Sequence, residues 1–209
     1  MKKTFVMVVL FILPILAYLF FASGIHEFGR LPVLTSKVGE LTGFATETQL
    51  KNKITILGFL GTNVDQQKGT AFNLNQKIYK HFFEFKDFQF VMVVGKGQEQ
   101  EVEELKKQLA VLADIKNWKF VYGDKDQIQS FYGQLKTDIT LKDDLSTPYV
   151  FIIDKDLSLR GRRDDEDEGT KYGFNTVSVA ELNNKMVDDV KIILAEYRMA
   201  LKKNNAERK

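Results

Sequence analysis

The hydrophobic pattern of the chain opens with an uncharged apolar run, residues 4–22, directly after Lys2 and Lys3. As a helix this run would be roughly 28 Å long, close to the roughly 30 Å hydrocarbon core of a bilayer. The pattern therefore predicts an uncleaved N-terminal membrane anchor. The two lysines predict a cytoplasmic N-terminus, because basic residues stay on that side. The chain from about residue 24 would then lie on the periplasmic side of the cytoplasmic membrane, after a single crossing.

A cleaved signal peptide is the alternative interpretation of the same apolar run. Signal peptides usually have a shorter apolar region, of about 7 to 15 residues, that ends in a small-x-small cleavage site. Residues 21–24 (FASG) match such a site poorly. The length of the run and the poor cleavage site both favour the anchor.

Beyond the anchor, short apolar runs alternate with segments of helical periodicity. The apolar runs, which predict strands, are residues 53–60, 88–94, 118–122, 149–154 and 157–162. The segments with apolar residues at steps of three and four, which predict helices, are residues 68–85, 98–113, 125–135 and 178–202. Asp124 is a predicted N-cap, and Ser178 with Glu181 predicts a capping box. This order predicts an α/β sandwich, with a mixed central sheet flanked by helices.

The domain organisation follows from these elements. The predicted regions are an anchor at 1–23, a linker and lead-in at 24–50, a folded domain at 51–202 and a polar C-terminal tail at 203–209. Thr147 and Pro148 stand just before the fourth predicted strand. A conserved feature of tight turns is a cis X–Pro bond, and Pro148, at the entrance to a buried strand, is a candidate for one.

Composition narrows the chemistry that is open to this protein. The chain has no cysteine and only two histidines, His26 and His81. Disulfides, thiolate nucleophiles, zinc–cysteine sites and iron–sulfur clusters are therefore excluded. The local sequence around each histidine offers no partners for catalysis or metal binding, and we expect no catalytic residue, metal or cofactor. The formal net charge is +2, from 30 basic and 28 acidic residues, which gives no reason to expect nucleic acid as a partner.

Four segments carry a resemblance to a known family. They are residues 54–63 (ITILGFLGTN), 118–124 (WKFVYGD, followed by Ile128), 146–156 (STPYVFIIDKD) and the C-terminal helix that follows the acidic run. Through them, over roughly residues 31–200, the chain resembles the Sco/SenC group of thioredoxin-fold proteins, which assist copper delivery to cytochrome oxidase. The N-terminal anchor fits the same family. The resemblance implies a thioredoxin-like domain and a role in the assembly of respiratory complexes.

The chain departs from that family at its metal ligands. The resemblance places Val64 and Lys68 where Sco proteins have the two cysteines of a C-x-x-x-C motif, and Ser146 where they have a histidine. Copper(I) prefers thiolate or imidazole ligands, and these three side chains offer neither. Val64, Lys68 and Ser146 are therefore expected to form a degenerate active site that neither binds copper nor reduces disulfides.

Two other motifs have a functional and a structural interpretation. The acidic run at residues 164–168 (DDEDE) could hold a hard cation, but it lacks the ligand spacing of an EF-hand. A solvated surface loop is the favoured interpretation, since runs of like charge repel and stay exposed. The segment Gly95-Lys96-Gly97 follows a strand, where phosphates bind in α/β folds, yet it matches no phosphate-binding motif.

These observations lead to one main functional hypothesis and two alternatives. The main hypothesis is a non-catalytic binding or assembly module with a protein partner near respiratory or assembly complexes. Its predicted partner-binding loop consists of the pairs Thr62–Asn63 and Thr147–Pro148. One alternative is a cysteine-independent enzyme that uses Asp65, Lys68 and Asp124, and the other is a purely structural subunit at the membrane. An open cleft at residues 61–70 would favour the binding module, whereas a closed loop would favour the structural subunit.

Overall fold

A computed structural model of the protein describes residues 2–22 and 29–206. The helices are α1 (Lys2–Ala22), α2 (Val64–Leu74), α3 (Lys80–Phe82), α4 (Glu99–Ala110), α5 (Lys125–Gly133), α6 (Val179–Glu181) and α7 (Val187–Ala206). The strands are β1 (Val33–Thr35), β2 (Ile54–Gly61), β3 (Phe88–Gly95), β4 (Trp118–Gly123), β5 (Ser146–Ile153), β6 (Leu159–Arg160), β7 (Arg162–Asp165), β8 (Gly169–Lys171) and β9 (Phe174–Asn175). Two π-helical turns, Asn75–Tyr79 and Leu182–Met186, join α2 to α3 and α6 to α7.

The predicted anchor residues form α1, with Pro14 inside the helix. Within the described part of the chain, no helix combines the length and apolar character needed to cross a membrane. The anchor therefore stays a prediction. At the other end of the chain, the predicted polar tail begins inside a helix, because α7 continues to Ala206. His26 lies outside the described residues.

The predicted mixed sheet is confirmed. Its strand order is β1-β6-β5-β2-β3-β4, with β9 paired to β5. The strands β2, β3 and β4 are parallel, while β5 runs antiparallel to β2 and to β6. The strands β7 and β8 form a separate two-stranded sheet. Right-handed helical crossovers are the usual way to join parallel neighbours, and α2 and α4 connect β2 to β3 and β3 to β4.

The central strands are apolar throughout because both of their faces are covered. Ile56 and Phe90 belong to one core, which also includes residues from α2, α4 and α7. Leu57 and Val91 belong to a second core on the other face, with residues from α5. Strands that are buried on both faces read as continuous apolar runs rather than alternating ones, which is why their positions could be predicted.

The predicted lead-in also contributes to the second core. Its side chains in that core are Val38, Leu41, Phe44 and Leu50, and its strand β1 pairs with β6 at the edge of the sheet. The Glu40 carboxylate accepts hydrogen bonds from the amides of Leu50 and Lys51, at 2.7 Å and 3.0 Å. The segment from about residue 31 is thus packed on the sheet, although it has no helical or strand periodicity that would predict this.

Candidate functional site

The degenerate active-site positions gather where β2 ends and α2 begins. Gly61, the last residue of β2, has a positive φ of 66°. A Cβ atom there would collide with the carbonyl oxygen of Asp144, so the close packing of these two segments requires glycine. The amide of Thr62 donates to that same carbonyl oxygen at 2.8 Å. The segment just before β5 is therefore held directly against the turn that leads into α2.

Val64 is the first residue of α2 and is fully buried. Its amide donates to Oε1 of Gln98 at 3.1 Å. The preceding residue, Asn63, caps the helix and accepts from the Gln66 amide at 3.4 Å. The position that the resemblance assigns to a metal-binding cysteine is thus an apolar residue with no reactive atom at the surface.

Lys68 lies on the outer side of α2, one turn after Val64. Its Nζ forms an ion pair with Oδ1 of Asp65 at 2.6 Å. The hydrogen bond that Lys68 donates to the Asp65 carboxylate raises the pKa of Lys68 above its ordinary value. Lys68 is therefore a cation at neutral pH, and it has no neutral amine that could act as a base or a nucleophile.

Ser146, at the start of β5, is fully buried in a polar network. Its hydroxyl donates to Oδ1 of Asp144 at 2.7 Å and accepts from Nε2 of the buried Gln67 at 3.2 Å. The Ser146 amide donates to the same Asp144 oxygen at 3.0 Å. Sequence reasoning identified Ser146 but missed Asp144 and Gln67. A glutamine on the buried side of an amphipathic helix is a weak signal for such a network.

Thr147 and Pro148 are joined by a trans bond, because no cis peptide bond occurs among the described residues. The expected cis bond is therefore absent. Gly58 pairs with Val150 and Leu60 pairs with Ser146, so β5 has two extra residues where Thr147 and Pro148 lie. Such a bulge accommodates an extended trans proline, because its missing N–H removes no ladder hydrogen bond there.

The backbone beside this proline is occupied by other parts of the same chain. The carbonyl of Pro148 accepts from the amide and the hydroxyl of Thr176, at 2.9 Å and 2.7 Å. The carbonyl of Ser146 accepts from the Lys142 amide at 2.9 Å. Thr176 also lies 3.1 Å from the hydroxyl of the buried Thr70 in α2. These bonds lock α2, β5 and the segment after β9 together.

The three residues of the enzyme alternative are only partly brought together. Asp65 and Lys68 are in contact, as described above. Asp124 instead pairs with Lys96 at 3.4 Å and caps α5, accepting from the Gln127 amide at 3.0 Å. The bond from Gln127 and the charge of Lys96 hold the pKa of Asp124 below its ordinary value. The predicted N-cap is confirmed. Asp124 and Lys96, the lysine of the Gly95-Lys96-Gly97 segment, thus both have structural roles at the start of α5.

The acidic run is held by basic residues rather than fully solvated. Asp165 is buried, and its carboxylate accepts from Nζ of Lys185 at 2.6 Å. Glu168 pairs at 2.8 Å with Lys171, a buried lysine that also pairs with Glu181 at 2.8 Å. The expectation of a solvated loop is therefore wrong for Asp165. Among the described residues, no group of three or more histidine or carboxylate side chains is placed to hold a metal ion.

Comparisons with known proteins identify the fold. No family model matches the chain, and no curated protein matches it. BsSco, a member of the Sco family of cytochrome c oxidase assembly proteins, matches with a TM-score of 0.50 and 15% identity, over 77% of this chain and 95% of BsSco.

Two further solved structures match over similar lengths. A Sco1/SenC family lipoprotein from Bacillus anthracis has a TM-score of 0.48 and 18% identity, over 80% of this chain and 96% of that protein. A proposed protein disulfide isomerase from Bacteroides thetaiotaomicron has a TM-score of 0.49 and 14% identity, over 84% and 95%. The protein therefore has a thioredoxin-like fold similar to that of BsSco, in a chain without a single cysteine.

Proposed function

We propose that this protein is a non-catalytic binding or assembly module, held at the cytoplasmic membrane by its N-terminal helix with its domain on the periplasmic side. One observation carries the proposal. Val64 and Ser146 are buried where the resemblance places metal ligands, and the Ser146 hydroxyl is already hydrogen-bonded within the protein. Neither side chain offers copper(I) a soft ligand or carries a thiol for disulfide exchange. Such a site leaves the surface of the domain as its functional part.

The partner belongs, in this proposal, to a respiratory complex or to its assembly machinery. BsSco, which has a similar fold, is a member of a family of cytochrome c oxidase assembly proteins. That role is transferred here as a hypothesis, because similarity of fold does not by itself determine function. Attachment to the membrane through residues 4–22 would hold the domain beside such complexes.

The partner is proposed to contact the loop surface, which we define as Thr62, Asn63, Pro148 and Val177. Thr147, the remaining residue of the predicted loop, is 2% exposed and therefore cannot contact a partner. The strand edge at Ser146–Pro148 cannot add a partner strand, because both carbonyls are already bonded within the chain. Side chains therefore provide the contact. Val177 directly follows Thr176, which bridges Pro148 and α2, and it is 69% exposed. The Val177 side chain is therefore the apolar group that this surface offers to a partner.

Two exposed valines allow a matched test of this surface. Val177→Asp changes the loop surface, and Val111→Asp places the same charge at the end of α4, where Val111 is 84% exposed. The full chain is cross-linked in native membranes, purified, and its partners are identified by mass spectrometry. We expect the wild type and Val111→Asp to recover a respiratory or assembly protein, and Val177→Asp to recover it at least tenfold less. Recovery of no such protein, or equal loss in both variants, would contradict the proposal.

The structural subunit is a second candidate, favoured by the hydrogen bonds that close the site at Gln67 and Ser146. The stoichiometry of co-purification distinguishes a structural subunit from an assembly module. A structural subunit co-purifies in equal amount with the mature complex, whereas an assembly module is absent from it. The enzyme alternative has only the Asp65–Lys68 pair, in which Lys68 is half-buried, and an unchanged phenotype of Lys68→Ala would remove this alternative. Alkaline carbonate extraction tests the predicted membrane anchor. An anchored full chain stays in the membrane fraction after this treatment.

A further inference from the structure

A cavity of about 260 Å³ lies at the edge of the sheet where β2 and β3 begin. Ile54 and Phe88, which pair at the start of these strands, line it together with Leu194 of α7. Phe85 and Tyr197 complete its apolar lining, and Phe85 is 40% exposed. The candidate functional site lies at the other end of β2, so the two are separate.

Basic side chains border this apolar cavity. Lys86, Lys155 and Arg198 line it, against one carboxylate, Asp87. Asp87 is already shared by two lysines, since it lies 2.5 Å from Nζ of Lys155 and 3.5 Å from Nζ of Lys53. The hydrogen bond from Lys155 lowers the pKa of Asp87, so this carboxylate is ionised and paired at neutral pH. The border therefore has an excess of positive charge.

Two of these cations remain available to a ligand. Neither Lys86 nor Arg198 forms an ion pair with another described residue. The nearby carboxylate of Asp156 accepts from the Tyr197 hydroxyl at 3.3 Å. Nζ of Lys155 lies 5.5 Å from the centre of the Tyr197 ring, which provides a cation–π contact.

We propose that this cavity binds a single-chain amphiphile with an anionic head, specifically a free fatty acid of medium chain length. An acyl chain in the cavity would lie over Ile54, Phe88 and Leu194, which are already almost fully buried and form its floor. The apolar surface removed from water is then that of the chain itself and of the exposed Phe85. The carboxylate head pairs with Lys86 and Arg198, because charge-assisted hydrogen bonds to lysine and arginine are the strong ones. The volume is just below the range of roughly 300–1,000 Å³ that holds drug-sized ligands, which suits a short acyl chain.

The N-terminal segment joins the domain beside this cavity. The Leu31 carbonyl accepts from Nε of Arg160 at 2.7 Å, and Nη2 of Arg160 pairs at 2.5 Å with Glu196, the neighbour of Tyr197 in α7. With the membrane attachment proposed above, fatty acids released from membrane lipids are a nearby source of ligand. Binding itself does not depend on that attachment or on a protein partner.

Photo-crosslinking of the full chain tests this site. The probe is a decanoate analogue with a diazirine near the end of its chain, and labelled peptides are identified by mass spectrometry. We expect labels on peptides that contain Phe85, Phe88 or Leu194. Unlabelled decanoate should compete, and decan-1-ol should compete at least tenfold more weakly because it has no charge. Removal of both cations in K86Q/R198Q should reduce labelling about tenfold or more.

The matched control is K107Q/K125Q, which removes two exposed lysines that do not line the cavity. It should label like the wild type. Both pairs of substitutions are at exposed positions, so neither should disturb folding. Labels spread evenly over the surface, equal competition by decan-1-ol, or unchanged labelling of K86Q/R198Q would each overturn the proposal. Protection of these peptides by phosphatidylglycerol vesicles but not by decanoate would assign the surface to a bilayer and would also overturn it.

Discussion

Ser146 shows how single residues of this site are satisfied by partners far along the chain. Its position could be aligned with a metal ligand by resemblance alone. Its hydrogen-bond partner Gln67 is 79 positions away in sequence, and the bond between Thr70 and Thr176 spans 106 positions. No periodic pattern contains such pairings, because they arise only when the sheet brings its strands together. The degenerate positions were therefore predictable, but the network that closes the site was not.

Removal of the Ser146 hydroxyl tests this network. Ser146→Ala should lower the free energy of unfolding by about 1–3 kcal/mol, because it leaves the buried Gln67 amide without its acceptor and the half-buried Asp144 without one of its donors. Ser130→Ala is the matched control, since Ser130 is exposed on α5, and it should change stability by less than about 0.5 kcal/mol. Urea unfolding followed by circular dichroism measures both. Equal stability of the two variants would show that the Ser146 network contributes nothing.

At the scale of elements, the predictions were best where one local rule dominated. Predicted strands at 53–60 and 88–94 correspond to Ile54–Gly61 and Phe88–Gly95, because strands buried on both faces are continuous apolar runs. The first helix of the domain was predicted to start at residue 68 but starts at Val64. Its first turn is mostly polar and has no apolar period, so the N-cap rather than the periodicity marks its start.

The two predicted caps show the limit of local rules. Asp124 and Gln127 form the complete capping box of α5, with both reciprocal hydrogen bonds. Ser178 accepts from the Glu181 amide at 3.2 Å, as predicted. The Glu181 carboxylate, however, accepts from the Asn175 amide at 2.8 Å and pairs with the buried Lys171. The Glu181 carboxylate therefore binds Asn175 and Lys171 rather than the Ser178 amide, which is the partner that the capping-box pattern predicts.

Removal of the Asp124 carboxylate tests the cap of α5. Asp124→Ala should lower the free energy of unfolding by about 1 kcal/mol, because the Gln127 amide loses its acceptor and the helix dipole loses a favourable charge. The control is Asp126→Ala, which removes an exposed carboxylate from the same first turn without removing a cap. It should cost only a few tenths of a kcal/mol. A loss from Asp126→Ala as large as that from Asp124→Ala would indicate that charge, not capping, stabilises α5.

At the scale of the whole molecule, buried ion pairs connect the sheet to the C-terminal helices. Arg160 of β6 pairs with Asp154, just after β5, and with Glu196 of α7, and its Nε also donates to the Leu31 carbonyl. A second network joins the β7–β8 hairpin to the C-terminal helices through Asp165 and Lys185. The sequence marks the second network only as an acidic run, which local charge rules assign to solvent.

The pH dependence of stability tests this second network. Burial alone would raise the pKa of Asp165, but the hydrogen bonds from Lys185 and the Asp167 amide, with the charges of Lys185 and Lys171, hold it below its ordinary value. An acid with a lowered pKa contributes full stability above its unfolded pKa of about 3.9 and loses it as the pH falls through the folded value. Asp165→Asn should therefore be less stable than the wild type at pH 7.

The difference between the two proteins should then shrink as the pH falls below about 4, because the wild-type carboxylate becomes protonated and loses its advantage. Thermal unfolding from pH 7 to pH 3 measures this. Asp164→Asn is the control, since Asp164 is exposed in the same hairpin, and it should follow the wild type at every pH. A difference in stability between Asp165→Asn and the wild type that stays constant down to pH 3 would mean that the Asp165 side chain acts through packing. The hairpin would then be held to the C-terminal helices by shape rather than by charge.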